Sequence, residues 1–325
     1  MPHNPPGTDP DDAALLQARG LERRYGEHIA VSGVNIALYA GHVLGLLGPN
    51  GAGKSTTLEM LSGNLQPHRG SVRVMGHDLA RDPLEARRRL GYLPDQPPLY
   101  PELRVDEYLD LCATLHGLRG AHKRAARERV KRDCHLQDVG RQLIGRLSRG
   151  FRQRTGIAQA LIHDPAVLIL DEPTVGLDPI QIREIRALIR NLASARGIIL
   201  STHILPEVQA ICSHVTVLYQ GHMVHSGRLD ALAGDDGHSW LLRFASPPDI
   251  ERLQQLAGDG KVTPDETGAF VIDTERATLD AILAASATEG WELLEVRARG
   301  STLEELFMQV TAGTAPPVGE GETTP

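Results

Sequence analysis

VLGLLG is an unbroken apolar run of the kind a strand shows when both faces are buried, and it leads directly into GPNGAGKST, residues 48–56, and then a helix. Gly48, Gly53, Lys54 and Ser55 stand at the spacing G-x-x-x-x-G-K-[ST], a pattern whose backbone N–H groups cradle phosphates. Each residue type has a physical reason to be there. Glycines let the backbone curl close around phosphate oxygens, and the helix that follows presents its positive end. Lys54 reaches the β and γ oxygens, and Ser55 can ligate magnesium. The whole loop, including Pro49, Asn50, Gly51, Ala52 and Thr56, is the candidate nucleotide-phosphate site. The bland alternative is an ordinary tight turn between strand and helix. A phosphate loop alone serves kinases, GTPases, helicases and transporters, so the rest of the chain has to discriminate.

The surrounding pattern is α/β. Residues 15–38 read as short antiparallel strands, with VNIALY alternating apolar and polar positions. Later come a helix over about 151–163, the buried strand AVLIL, a helix over about 180–195 and the strand GIILS, which together predict a parallel α/β core. Between the two halves, residues 105–147 have apolar spacing that fits helices, so a helical subdomain over about 100–150 is inserted in the core. After Gly227 the texture changes to WLLRFA, a helix near 250–256, FVID, a helix near 279–288, WELLEVRA and a last helix from 301. That order resembles a small β-α-β-β-α-β unit with an added helix. The expected division is therefore a P-loop NTPase core with an antiparallel β subdomain over 14–230 and a small α+β domain over 238–312. Tails at 1–13 and 313–325, rich in Pro, Asp, Gly, Thr and Glu, are expected to be disordered.

Composition narrows the partners. Hydrophobic residues at 41% and charged residues at 23% are globular values, and no apolar run approaches the length that spans a bilayer. The N-terminus lacks a basic start and an apolar stretch, so the expectation is a soluble, cytoplasmic chain. Cys112, Cys134 and Cys212 are widely spaced with no CxxC, which suits reduced packing residues rather than disulfides or zinc. The 14 histidines are scattered; His222 and His225 share a strand-like segment without a third ligand. A formal net charge of -7 gives no field for nucleic acid, and the basic stretch 123–132 reads as the solvated face of a helix.

Two carboxylates, Asp171 and Glu172, follow the apolar segment ending at Leu170, which puts them at the end of a buried strand beside the phosphate loop. Asp171 is suited to hold magnesium and Glu172 to polarise an attacking water. His203 ends another apolar strand in STHIL, where a neutral imidazole can orient water and sense the γ-phosphate. A lone acidic pair or lone histidine is more often a surface feature; in this order after a phosphate loop they are not.

Residues 15–225 resemble an ABC-type ATPase. In that family's terms GPNGAGKST is the Walker A loop, LILDEP the Walker B strand, GLDP with Asp178 the D-loop, and His203 the switch histidine. LSRGFRQR, residues 147–154, resembles the signature motif, and Tyr25 falls where the family places an adenine-stacking aromatic, with a core tyrosine as the alternative. Two departures stand out. The commonest signature is LSGGQ, whereas Arg149 and Phe151 replace a glycine and the glutamine here, leaving Ser148 and Gly150. In GYLPDQPPLYPEL the usual Q-loop glutamine position is Asp95, with Gln96 one place late, and either residue could serve magnesium or its water.

The resemblance implies ATP and Mg2+ bound between two nucleotide-binding domains arranged head to tail, each ATP held by one Walker A loop and the other signature. The chain carries one copy of each motif, so it implies a homodimer. About ninety residues separate the Walker A loop from the signature, too few for the coiled coils of chromosome-maintenance relatives, and translation-factor relatives carry two domains. What remains is a transport ATPase, and the resemblance implies a place on the cytoplasmic face of the membrane and an ABC-2-type permease on a separate chain. The last third, ending STLEELFMQVT, resembles multidrug, sodium-export and gliding-type systems and so implies export. An ATP-dependent switch without solute transport is the alternative.

Overall fold

The computed structural model describes residues 14–232, 239–265, 268–298, 303, 307 and 308; the two tails expected to be disordered lie outside these residues. The chain divides into two compact units, the first closing at Arg228 and the second running from Leu229 to Gln309. No helix among the described residues is long and apolar enough to cross a membrane.

The strands of the first unit are β1 (Leu16–Tyr25), β2 (His28–Leu38), β3 (Val43–Leu47), β4 (Arg69–Val74), β5 (His77–Asp78), β6 (Leu90–Leu93), β7 (Val167–Leu170), β8 (Gly197–Thr202), β9 (His214–Tyr219) and β10 (His222–Arg228). They form one sheet in the order β5-β4-β1-β2-β10-β9-β3-β8-β7-β6. From β9 to β6 neighbouring strands run parallel, whereas β5, β4, β1 and β2 pair antiparallel. β10 joins the two halves, antiparallel to β9 and parallel to β2 at His222 and Ser32. The expected short strands over 15–38 are in fact ten and eleven residues long. Gly20, at φ 58, absorbs a register shift between Ala18 and Leu21, and its N–H is held by Asn35 Oδ1 at 2.7 Å, so the strand continues through the bulge.

The helices are α1 (Lys54–Ser62), α2 (Pro83–Arg87), α3 (Val105–Leu115), α4 (Gly120–Asp133), α5 (Arg149–Leu161), α6 (Pro179–Ala193) and α7 (Leu205–Ile211). Period-2 alternation lets each central strand feed two cores. On β7, Val167 and Ile169 pack with β1, β2 and α1, while Leu168 and Leu170 pack with α3, α5 and α6. Ile199 and Ile198 divide the same way on β8. Each such fully buried side chain is worth roughly 1.5–3 kcal/mol. The inserted helices share the second of these cores with the sheet: Val105, Leu109, Val130 and Ile144 lie in one cluster with Ile157, Leu168 and Leu200.

The basic stretch 123–132 is not simply a solvated face. Lys131 on α4 is 6% exposed and meets Asp106 of α3 at 2.7 Å, and Arg127 meets Asp110 at 2.8 Å. Two carboxylates four residues apart thus face two cations four residues apart, a spacing that puts each pair on one side of its helix. Arg129 donates to the carbonyls of Leu161 and Ile162, tying α4 to the end of α5.

The second unit opens with α8 (Leu229–Leu232), followed by β11 (Ser239–Phe244), α9 (Ile250–Ala257), β12 (Lys261–Pro264), β13 (Phe270–Asp273), α10 (Arg276–Glu289) and β14 (Leu293–Ala298). Its sheet has the order β12-β13-β11-β14 with every pair antiparallel. Trp240, Leu242, Leu253, Ile272, Leu279 and Trp291 fill its core, and Trp240 Nε1 donates to the Thr274 carbonyl at 3.2 Å. The helix expected from residue 301 falls mostly outside the described residues.

Candidate active site

The register of the parallel strands gathers the site. Leu47, the last residue of β3, pairs with Thr202, the last of β8, while Leu170 at the end of β7 pairs with Leu200. The phosphate loop, the Asp171–Glu172 pair and His203 therefore leave the sheet side by side at the carboxyl ends of its strands, where open α/β sheets form their ligand crevice.

Two glycines of the loop are sterically required. A Cβ on Gly48 would collide with the Leu218 carbonyl, and Gly53 combines φ 99 with a Cβ position 2.5 Å from the Ala30 oxygen. Gly53 caps α1 without a side-chain hydrogen bond, and the first turn holds no acidic residue. The free N–H groups and positive end of α1 are thus left to an anion. Lys54 is 6% exposed, and its Nζ donates to the carbonyls of Gly48 at 2.8 Å and Pro49 at 3.2 Å while standing 3.5 Å from Glu172 Oε1. A buried ammonium bonded to two carbonyls is aimed where a phosphate oxygen would sit.

Ser201 organises the carboxylates. Its Oγ donates to Asp171 Oδ1 at 2.5 Å and accepts the Glu172 N–H at 2.9 Å. Ser55 Oγ lies 3.4 Å from the same Asp171 oxygen. Glu172 adopts φ 46, a left-handed conformation that costs a residue with a side chain about 1–3 kcal/mol. That turn brings its carboxylate within 3.0 Å of His203 Nδ1 as well as within reach of Lys54.

A cleft of about 520 Å³ is lined by Tyr25, Asn50, Gly51, Gly53, Lys54, Ser55, Thr56, Glu172 and His203, together with His28, Ala30, Asp95 and Val175. Tyr25 is 48% exposed, not a core tyrosine, with the Arg23 guanidinium 5.2 Å from its ring centroid. Between the two Q-loop candidates, Asp95 lines this cleft, whereas Gln96 lines a neighbouring cavity with Arg149, Arg152 and Gln153. Gly48, Pro49 and Ala52 shape the loop from behind: the first two offer carbonyls to Lys54, and Ala52 is 2% exposed. His28 and Val175 were not apparent from the sequence. His28 pairs with Tyr25 across the β1–β2 turn, so the YGEH hairpin was the available signal.

Ser148, Gly150 and Asp178 do not line the cleft of their own chain. Ser148 caps α5, accepting from Phe151 N at 3.3 Å, and Asp178 caps α6, accepting from Ile180 N and Gln181 N at 2.9 Å each. Gly150 packs against α6, where an added Cβ would stand 2.8 Å from Gln181 Cδ and displace that side chain. Arg149, the signature's departure, lays its guanidinium over Gly176, where a side chain would collide with it.

A phosphate loop between a buried strand and a helix, a carboxylate pair at the end of the strand two places along the sheet and a histidine on one of those carboxylates define a nucleotide-binding P-loop domain. Residues 31–175 match the ABC transporter family. The chain is 38% identical over 222 residues to the bacitracin transport ATP-binding protein BcrA of Bacillus licheniformis, spanning 68% of this chain and 72% of that one. To the linearmycin resistance ATP-binding protein LnrL of Bacillus subtilis (strain 168) it is 31% identical, over 92% of this chain and 99% of that protein. A solved ATP binding subunit of an ABC transporter superposes with a TM-score of 0.61 at 32% identity, covering 67% of this chain and 91% of that one. The chain belongs to the ABC transporter family as an ATP-binding subunit that hydrolyses ATP.

Proposed function

We propose that the chain hydrolyses ATP at the Glu172–His203 pair and, as a homodimer on the cytoplasmic face of the membrane, drives an ABC-2-type permease carried on a separate polypeptide, in the direction of export. The observation that carries the hydrolytic reading is the Glu172 carboxylate, held between Lys54 at 3.5 Å and His203 at 3.0 Å in the cleft that opens over α1. Tyr25 stacks on the adenine at the exposed end of the cleft, and the loop N–H groups and Lys54 bind the phosphates. On arrival of the γ-phosphate, Lys54 exchanges carbonyl and carboxylate partners for phosphate oxygens and releases Glu172. Glu172 accepts a proton from water as the water oxygen bonds to the γ-phosphorus and the bond to the leaving ADP oxygen breaks. His203 holds Glu172 and the water in line.

Magnesium suits the donors present. Ser55 and Asp171 offer adjacent hard oxygens, the donors an ion of this kind takes alongside phosphates and water. It would neutralise phosphate charge there, with Asp95 within the same cleft. Ser148, Gly150 and Asp178, absent from their own cleft, are read as contacts to the nucleotide of a second copy. Export is supported by the names of the relatives, a bacitracin transport protein and a linearmycin resistance protein.

Pull-down of the native complex from membranes tests this reading. A co-purifying polypeptide with about six membrane-spanning helices is expected; a chain that never co-purifies with a membrane protein would favour an ATP-dependent switch.

A further inference from the structure

We infer that Glu207 is a positioning residue for hydrolysis, one buried carboxylate that ties together the two loops carrying Glu172 and His203. Glu207 stands in the first turn of α7 and is 2% exposed. Its Oε1 accepts from the hydroxyl of Thr174, two residues beyond Glu172, and its Oε2 accepts from the hydroxyl of Thr202 at 2.7 Å. Thr202 Oγ1 in turn accepts the N–H of Ile204 at 3.0 Å, so the hydrogen bonds bracket His203 from both sides.

The directions of these bonds are fixed. Both threonine hydroxyls donate to the Glu207 carboxyl oxygens, and the Thr202 oxygen is left to receive Ile204. Arg186 on α6 lies 3.8 Å from Oε1 and supplies the opposite charge that a buried carboxylate needs. Glu207 touches neither the cleft nor Glu172; it acts through the backbone of the two loops. With His203 Nδ1 only 3.0 Å from the Glu172 carboxylate, a shift of either loop removes that alignment.

The inference rests on Glu172 and His203 being the hydrolytic pair, and its test separates the two claims. In the full-length chain, Thr174→Val and Thr202→Val keep side-chain volume and remove the hydroxyl. Each is expected to lower kcat about tenfold while affinity for a fluorescent ATP analogue stays within about twofold. Thr174→Ser and Thr202→Ser, which restore the hydroxyl, recover most of the lost rate. Glu207→Gln lowers kcat similarly, and adding Thr174→Val to it costs little more, as expected for members of one network. Valine variants that hydrolyse ATP like the wild type, serine variants as slow as the valine ones, or losses of affinity that track the losses of rate would overturn the role of Glu207. Glu172→Gln measured alongside reports on the pair itself: a normal rate there overturns the hydrolytic reading.

Discussion

His203 turns its Nδ1 toward both carboxylate oxygens of Glu172, at 3.1 and 3.0 Å, although the two residues are 31 positions apart and end different strands. The pairing depends on register. Because β7 and β8 run parallel side by side, the loops beyond them emerge together, and the left-handed turn at Glu172 swings its side chain back across the gap. Lys54 completes the arrangement from the third loop. Without nucleotide, the Glu172 carboxylate thus takes its contacts from Lys54 and His203, and binding ATP must exchange the Lys54 contact for phosphate.

Lys54→Ala removes a buried ammonium that makes two carbonyl hydrogen bonds and faces the phosphate site. A charge-assisted hydrogen bond is worth about 1.5–3 kcal/mol, so the dissociation constant for ATP is expected to rise about 10- to 100-fold. Titration with a fluorescent ATP analogue checks this, and unchanged affinity would contradict it.

Tyr25→Ala should weaken ATP binding by about 1–3 kcal/mol if the exposed ring stacks on adenine, while Tyr25→Phe keeps the stack and most of the affinity. Calorimetric titration distinguishes the two. The Arg23 guanidinium over the ring pre-orders it, so Arg23→Ala is expected to give a smaller loss of the same sign.

His163 carries an acid sensitivity that has nothing to do with catalysis. Burial first, and then the neighbouring His116 ring stacked 3.8 Å away, push its pKa down from 6.5 to about 4. In the unfolded chain the imidazole binds its proton near pH 6.5, so below that value the unfolded state holds more protons than the folded one. The stabilisation is therefore present above pH 6.5 and lost progressively as pH falls toward about 4. Melting temperatures across this window should fall for the wild type and fall less for His163→Gln, which keeps a donor for the Leu90 carbonyl.

The phosphate loop was legible in the sequence because its requirements are local: glycines where a Cβ collides, then a lysine and a hydroxyl opening a helix. Asp171, Glu172 and His203 were legible as strand-end residues, but their contact needs the strand order, which residue spacing does not contain. Ser201 and Glu207 were missed for a different reason. A serine at a strand end and a glutamate in the first turn of a short helix look like ordinary surface choices, and only the fold shows that they are 0% and 2% exposed. The charge run on α4 was misread in the same way, although Asp106 and Asp110 on α3 repeat the four-residue spacing of Arg127 and Lys131 and could have signalled the seam. The signature residues pose the opposite case. Their sequence is informative, but within one chain Ser148, Gly150 and Asp178 cap and pack helices away from the cleft.

Single-turnover hydrolysis by Glu172→Gln asks whether this carboxylate is the base, because the substitution keeps the size of the side chain while removing its charge and its capacity to accept a proton. ATP is expected to bind with near wild-type affinity and to be cleaved at least about 100-fold more slowly. Cleavage at the wild-type rate with ATP bound would show that another group accepts the proton and would contradict the assignment.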